Sequence, residues 1–490
     1  MYIRGLLSAN QENGFCNRAY LFFSNKLLYL PKLFFDNSNP IELIRRIKKI
    51  ESNHQSIVGI IGNFIVDIIV LLTSCVIMFA YSWATAIALL IFIPSLWMFV
   101  VHFNKKIGLD IYDALRINSM AEISLFDMIN GISEIKTYNN QKLFRFDLMR
   151  LYSIAQDTIY KLKTNKVRLR FFTHVLMAVF ISLVFAYSSM LVWYSRIQIG
   201  EYITILFLCI IIILTIVNLI NTNFQILEAK VAFDRMFEIT KIQSEHEEAV
   251  GLKRINISYL LIKELSFGFP GCPTLLDGIS LSAEKNQIIT IFGETGCGKS
   301  TLLNILQRLY LPESSEIYIN GKDWGNLSIP EWRENVALVP QNLKTFNKTI
   351  IDNVIMGNTI NEQEQFFSFC NHYGFDKYFE KFPQSYMTLL GEGATSVSSG
   401  QLQLIALARA IYKRPQILLL DEPTSAMDKQ TEDFVMQLLF KLKKDMIIII
   451  ATHQVHLVEK SNIIYILNEG KIEHCGTHNQ LIEHKHQQTG

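Results

Sequence analysis

The chain reads as a helical, membrane-spanning half followed by an α/β half built around a glycine-rich loop. Three observations predict this. Residues 57–81, 83–103, 171–194 and 202–220 are apolar stretches, each long enough to cross about 30 Å of hydrocarbon. Hydrophobic residues make up 50% of the 490, and the mean hydropathy is +0.23, too apolar for an ordinary soluble two-domain protein. Near the middle, Gly293 to Ser300 fits G-x-x-x-x-G-K-[ST] between a β-branched apolar run and a helix-like run.

The membrane half comes first. None of its apolar stretches lies at the very start, so none reads as a cleaved signal peptide. Core helices of soluble proteins rarely run this long without charges, which favours spans over buried helices. Between Asn104 and Arg170 there are 12 Lys or Arg, whereas residues 195–202 hold only Arg196. The excess of positive charge on cytoplasmic loops places 104–170 in the cytosol and the turns near Ser82 and Ile197 outside. These 67 residues contain little Pro or Gly and read as a helical hairpin turning near Asn130-Gly131 or Asn139-Asn140. Asn63 and Asp67 lie inside the first apolar stretch, near its cytosolic end. An ionisable residue at membrane depth is a candidate for function, although here it can also snorkel to the interface. Pro94 is expected to kink its helix. Asn218, Asn221 and Asn223 close the fourth stretch and either face a pathway or mark the interface.

In the second half, Ile288 to Phe292 reads as a buried strand and Thr301 to Leu306 as a helix start. Strand, loop and helix are the context a phosphate loop needs. Its glycines let backbone N–H groups turn inward, and the helix N-terminus adds partial positive charge. Gly293, Glu294, Thr295, Gly296, Cys297, Gly298, Lys299, Ser300 and Thr301 are therefore the expected phosphate cradle. Lys299 would reach the β- and γ-phosphates of ATP, and Ser300 would ligate Mg²⁺. Leu418 to Glu422 is an apolar strand ending in two carboxylates, Asp421 for the Mg²⁺ shell and Glu422 to polarise the attacking water. His453 follows another apolar run, 447–452, and its place after the carboxylate pair makes it a second catalytic candidate.

The order of these segments resembles the ATPase domain of ABC transporters, over roughly residues 256–483. Val397-Ser398-Ser399-Gly400-Gln401 matches the family signature L-S-G-G-Q. The resemblance implies that Ser398, Gly400 and Gln401 of one subunit close over ATP held by the phosphate loop of another. It places Gln341, 42 residues after Lys299, at the nucleotide and its metal. Phe269 stands where the family stacks a Tyr on adenine, keeping the ring face and losing the hydroxyl. Asp428, in Ser425-Ala426-Met427-Asp428, matches the D-loop, and Gly391-Glu392-Gly393 resembles the exporter-type loop that communicates with the membrane domain. Ser399 replaces a glycine, and Leu402 and Leu404 stand where basic residues are usual.

The expected organisation is a transmembrane domain over 1–243, a linker over 244–255 and an ATP-binding domain over 256–490. Exporters of this architecture, the type I fold, usually have six spans per subunit, and four are found here. Leu30 to Phe35, with Glu42 and Arg46, resembles a segment after the second span of peptide and bacteriocin exporters, Ile41 replacing a glycine. On that resemblance, 1–56 is the end of a second helix, a coupling turn near Asn39 to Arg45 and the rise into a third. A second coupling helix is then expected near Ser124 to Asn130, and two further spans, with or without a cysteine-peptidase domain, upstream or on a separate segment. The resulting expectation is a half-transporter that works as a homodimer and exports a peptide through the cytoplasmic membrane at the expense of ATP. The alternatives are a lipid or drug exporter, or a truncated relative that hydrolyses ATP without transport. Seven cysteines lack paired spacing, so neither disulfide nor zinc site is expected, and alkylation of Cys297 should block ATP binding. A formal charge of +2, with basic residues near the membrane, does not point to nucleic acid.

Overall fold

The computed structural model describes residues 2–245, 254–357, 359–391 and 397–481. Two compact units result, one of residues 1–30 and 34–243, the other of 31–33 and 244–490.

The first unit is all helical. Its elements are α1 (Tyr2–Leu28), α2 (Lys32–Asp36, whose first two residues fall in the other unit), α3 (Pro40–Tyr81), α4 (Trp83–Asn130), α5 (Ile132–Thr137), α6 (Gln141–Trp193) and α7 (Ile199–Thr240). Among the described residues four helices are long and apolar enough to cross a membrane, namely α3 over Gly62–Tyr81 and the apolar windows of α4, α6 and α7. α3 packs along α7 and α4 along α6. Leu89, Leu96, Val100, Leu169, Met177, Ile205 and Ile212 fill the space between them.

α4 has 48 residues and α6 has 53, so at 1.5 Å per residue they run about 70 and 80 Å. Each continues without a break from its apolar window into a polar segment, and Pro94 lies inside α4 without ending it. The hairpin turns at both expected places, Gly131 and Asn139-Asn140, with Asn139 in the left-handed region at φ 54°. The short helix between them is Ile132–Thr137. Ser124 to Asn130, expected as a separate coupling helix, is instead the last part of α4, because nothing stops that helix before Gly131. The earlier short helix, Lys32–Asp36, likewise precedes the expected turn at Asn39 to Arg45. Pro40 at the first helical position and Glu42 in the first turn already start α3 there.

Polar groups, of which Asp110 is buried, pin the helices together. Asp110, 7% exposed on α4, accepts Asn165 Nδ2 of α6 at 2.6 Å and faces Lys161 Nζ at 3.6 Å. Asn104 of α4 and Asn223 of α7 exchange carboxamide hydrogen bonds at 3.3 and 3.0 Å, and Lys166 of α6 pairs with Glu228 of α7.

Among the described residues the second unit holds two sheets. β1 (Tyr259–Gly268), β2 (Thr274–Glu284), β4 (Ser314–Ile319) and β5 (Lys322–Asp323) form an antiparallel sheet in the order β2-β1-β4-β5. β3 (Ile288–Phe292), β6 (Val336–Val339), β7 (Ile417–Asp421), β8 (Ile447–Thr452), β9 (Ile463–Asn468) and β10 (Lys471–Gly476) form the other, ordered β10-β9-β3-β8-β7-β6. All its pairings are parallel except that of β10 with β9. The helices are α8 (Lys299–Leu306), α9 (Ile329–Asn335), α10 (Ile350–Ile355), α11 (Thr359–Tyr373), α12 (Asp376–Phe379), α13 (Ser399–Tyr412), α14 (Lys429–Leu442) and α15 (Val455–Glu459).

The central strands read as unbroken apolar runs because both faces are covered. Leu418, Leu420, Ile448 and Ile450 feed one core, while Leu419, Ile447 and Ile449 between them feed the other.

Candidate active site

Strand register brings the expected residues together. Phe292, the last residue of β3, pairs with Thr452, the last of β8, and Asp421, the last of β7, pairs with Ala451 of β8. Three neighbouring strands therefore end at nearly the same height. The next residue on each is Gly293, His453 or Glu422. Ligands of open parallel sheets bind at the carboxyl ends of strands, where the connections diverge to opposite faces.

The loop after β3 needs its glycines. Gly296 and Gly298 have φ of 91° and 105°, which L side chains rarely adopt. Gly298 precedes α8, so the first N–H groups of that helix open towards the loop. The Lys299 ammonium, 5% exposed, donates to the carbonyls of Gly293 at 2.8 Å and Glu294 at 2.7 Å. Cys297 Sγ lies 3.9 Å from it.

Asp421 and Glu422 are each 9% exposed. Burial pushes the Asp421 carboxyl above the usual aspartate range and Glu422 adds to this, while a hydrogen bond from Ser300 and the charge of Lys299 oppose it. Ser300 and Asp421 thus already present two oxygen donors side by side, the ligand type a hard divalent cation takes. Glu422 sits in the left-handed region at φ 49°, uncommon for a residue with a side chain and a mark of functional sites. Its Oε1 lies 2.6 Å from His453 Nδ1. Gln341 is exposed, two residues past β6.

The signature segment is a helix cap. Ser398 is the N-cap of α13, its hydroxyl accepting from the Gln401 amide at 3.2 Å while Gln401 Oε1 accepts from the Ser398 amide at 3.0 Å. This capping box leaves Ser398 and Ser399 exposed at a helix N-terminus, which carries partial positive charge. Ser399 fits in place of glycine because it is the first helical residue and faces solvent. Gly400 has no such freedom: a Cβ there would meet the Ala426 carbonyl oxygen at 2.6 Å. Leu404 is apolar because it is 3% exposed, within the core.

Phe269 follows β1, with its ring edge-on to Phe267 at 5.1 Å and to Tyr310 at 5.4 Å. Asp428 is the N-cap of α14, accepting from the Thr431 amide at 2.7 Å, and that bond holds its carboxyl below the usual range. Glu392 and Gly393 of the expected exporter-type loop lie outside the described residues.

Two residues were missed in the sequence. Gln403, 4% exposed, donates to the Glu422 carbonyl at 3.2 Å and to Ser425 Oγ at 3.0 Å, and accepts from the Ala426 amide at 3.3 Å. It ties the signature helix to the backbone of the proposed base. Arg409, farther along α13, donates to the Asn353 carbonyl at 2.7 Å and the Lys344 carbonyl at 3.3 Å. The available signal was a glutamine and an arginine within an otherwise apolar helix.

Residues 21–216 match the model of the ABC transporter transmembrane region, and residues 276–425 the model described as ABC transporter. An ATP-dependent lipid A-core flippase of Saccharophagus degradans is 27% identical over 470 residues, covering 94% of this chain and 77% of that protein. A lactococcin transport/processing ATP-binding protein of Lactococcus lactis is 26% identical over 464 residues, covering 94% and 64%. The solved structure of a bacterial Atm1-family ABC exporter with ATP bound shares the fold, with a TM-score of 0.90 at 19% identity, over 99% of this chain and 85% of that one. An integral membrane protein with a four-span helical region ahead of an α/β ATP-binding domain, the chain is an ABC transporter of the exporter type, an ATP-driven translocase.

Proposed function

We propose that the protein exports a peptide across the cytoplasmic membrane as a homodimer with two composite ATP sites. The observation that carries the reading is the meeting of Lys299, Asp421, Glu422 and His453 at level strand ends, with an exposed signature cap on the same unit. Within one subunit, the phosphate loop and Lys299 bind the triphosphate and Phe269 stacks on the adenine. Ser300, Gln341 and Asp421 would hold Mg²⁺, which supplies charge neutralisation at the phosphates. Glu422 takes the proton of the attacking water, held in place by His453. From the other subunit, Ser398 and the Gly400 amide close over the γ-phosphate beside Gln401, and Asp428 anchors the neighbouring loop. Closure drives the long α4 and α6 helices, which turns the pathway outward, and hydrolysis resets it.

The 12 Lys or Arg between 104 and 170 support an ATPase domain on the cytosolic side. The lactococcin relative supports a peptide substrate, and the lipid A-core flippase supports a lipid as the second reading. ATP-dependent uptake into inverted vesicles separates them. Uptake of peptide but not labelled lipid is expected, and uptake of lipid alone overturns the peptide reading. Hydrolysis without uptake of either leaves a non-transporting ATPase.

A further inference from the structure

The segment that follows β8 is held between two carboxylates. Thr452 and Leu457 are both fully buried, while the four residues between them are exposed or half-buried. Among the described residues, side chains tie this stretch down at three points. His453 Nδ1 meets Glu422 Oε1 at 2.6 Å, Gln454 Oε1 accepts from Thr424 Oγ1 at 3.2 Å, and His456 Nε2 meets Glu432 Oε1 at 2.5 Å. The first two contacts reach the residues directly after β7. The third reaches a different element, the first turn of α14.

Seating α15 does not require that third contact. Leu457 already lies within the core. Beyond the helix, Ser461 Oγ is 2.5 Å from Thr290 Oγ1 of β3, and Asn462 Oδ1 accepts from the Ile288 amide at 2.9 Å. A second ion pair between the two helices, Lys460 Nζ to Asp433 Oδ1, spans 3.8 Å with both side chains exposed, and pairs of that kind contribute little. Glu432 is different, with its side chain 18% exposed and its partner at close range. A hydrogen bond to a sheltered carboxylate is among the stronger ones.

α14 gives this pair a rigid base. Asp428 caps the helix, and the Glu432 amide donates to the Asp428 carbonyl at 2.9 Å. His456 is therefore tied to a fixed point three residues away from His453. The His453 side chain is 49% exposed, so packing alone does not hold its ring against Glu422. A displacement of about 1 Å in a catalytic site can cost about 10²-fold in rate.

We propose that Glu432 and His456 are positioning residues for ATP hydrolysis: their ion pair holds the backbone of His453 so that its ring stays against Glu422. This rests on the reading above, in which Glu422 takes the proton of the attacking water and His453 acts beside it.

The test is steady-state ATP hydrolysis by the full chain in vesicles, with a nucleotide titration for each variant. His456→Ala should lower kcat about tenfold, the worth of one charged hydrogen bond, and leave KM for ATP within about twofold, because the phosphate loop is untouched. His456→Gln, whose amide N–H can donate to the same carboxylate, should recover most of the loss. Glu432→Ala should match His456→Ala, and the double variant should be no slower than either, since all three remove one contact. A wild-type kcat in His456→Ala overturns the proposal. So does a His456→Gln variant as slow as the alanine one, a KM that rises as kcat falls, or a double variant whose loss is the product of the two single losses. If His456→Ala does not fold, Glu432→Gln carries the test, since it keeps the shape and removes the charge, and an unchanged kcat there overturns the pair. His453→Ala, measured alongside, separates the two readings. A wild-type kcat in that variant removes His453 from the chemistry and the positioning role with it. A slow His453→Ala beside a wild-type His456→Ala leaves the role of His453 standing and sinks the pair alone.

Discussion

Replacing Glu422 by Gln removes one negative charge at the end of β7 and changes little else. The side chain is 10% exposed and lies 2.6 Å from His453 Nδ1. A carboxamide of the same size keeps an oxygen in that position. The backbone contacts of residue 422, from its amide to the Ala451 carbonyl and from Gln403 to its own carbonyl, do not involve the side chain. The left-handed backbone at φ 49° is equally accessible to Gln, so the unfolding midpoint should hold. Under the proposed function, what is lost is the proton acceptor for the attacking water. A positioned base contributes about 10²–10⁴-fold, which at 1.36 kcal/mol per decade is about 3–5 kcal/mol of barrier. The assay is single-turnover phosphate release by the full chain in vesicles, with a parallel nucleotide titration. Slow release with retained ATP affinity is expected. Release within about twofold of wild type, far below the general-base range, would remove Glu422 from the chemistry.

Lys299→Ala should lower ATP affinity by at least about tenfold, since a charged donor is lost, and an unchanged titration would mean that the phosphates bind elsewhere. Ser398→Arg should abolish hydrolysis but spare nucleotide binding, and mixing it with Lys299→Ala subunits should restore one competent site. A mixture as inactive as its components argues against the composite dimer. Gly400→Ala forces a Cβ to 2.6 Å from the Ala426 carbonyl oxygen, and overpacking of this kind costs about 1–3 kcal/mol, read as a lower unfolding midpoint. An unchanged midpoint would refute that packing constraint. For Asp428→Ala the effect should depend on pH. The folded carboxyl titrates below its usual range because the Thr431 amide bonds to it, so the cap stabilises above the unfolded pKa and its contribution disappears as pH falls through the folded one. The variant's lower midpoint should show fully near pH 7 and shrink towards wild type as the pH falls below the usual aspartate range, and a deficit independent of pH would rule out the carboxylate cap.

The meeting of Gly293, Glu422 and His453 in the candidate site was legible in the sequence because each directly follows an apolar run. Two-sided burial makes β3, β7 and β8 continuous in Ile and Leu, so the strands could be found and the residues after them identified. The four spans were legible for a similar reason. The positions of the short helices were not. Local signals named both turns of the hairpin and a helix running to the first of them, but not that the short helix would fall at Ile132–Thr137 rather than near Ser124 to Asn130, or that Pro40 would begin α3. Helix ends depend on which residues stop or cap the backbone as much as on periodicity. Gln403 and Asp110 were also missed, being polar residues whose partners are distant in sequence: Glu422 and Ser425 for one, Asn165 and Lys161 for the other. Spacing along the chain carries no trace of such pairs.

The level ends of β3, β7 and β8 also limit how the gene can change length. Adding or deleting one residue in any of these strands would move the next side chain by about 3.3 Å and turn it to the opposite face of the sheet. Gly293, Glu422 and His453 would then no longer meet, although every motif would still be spelled correctly. Insertions at the far ends of the same strands, such as the turn at residues 443–446 before β8, would leave the meeting point intact. A library of single-codon insertions across this half should therefore show dead positions clustered inside three short strands, with tolerated ones gathered on the opposite rim of the sheet.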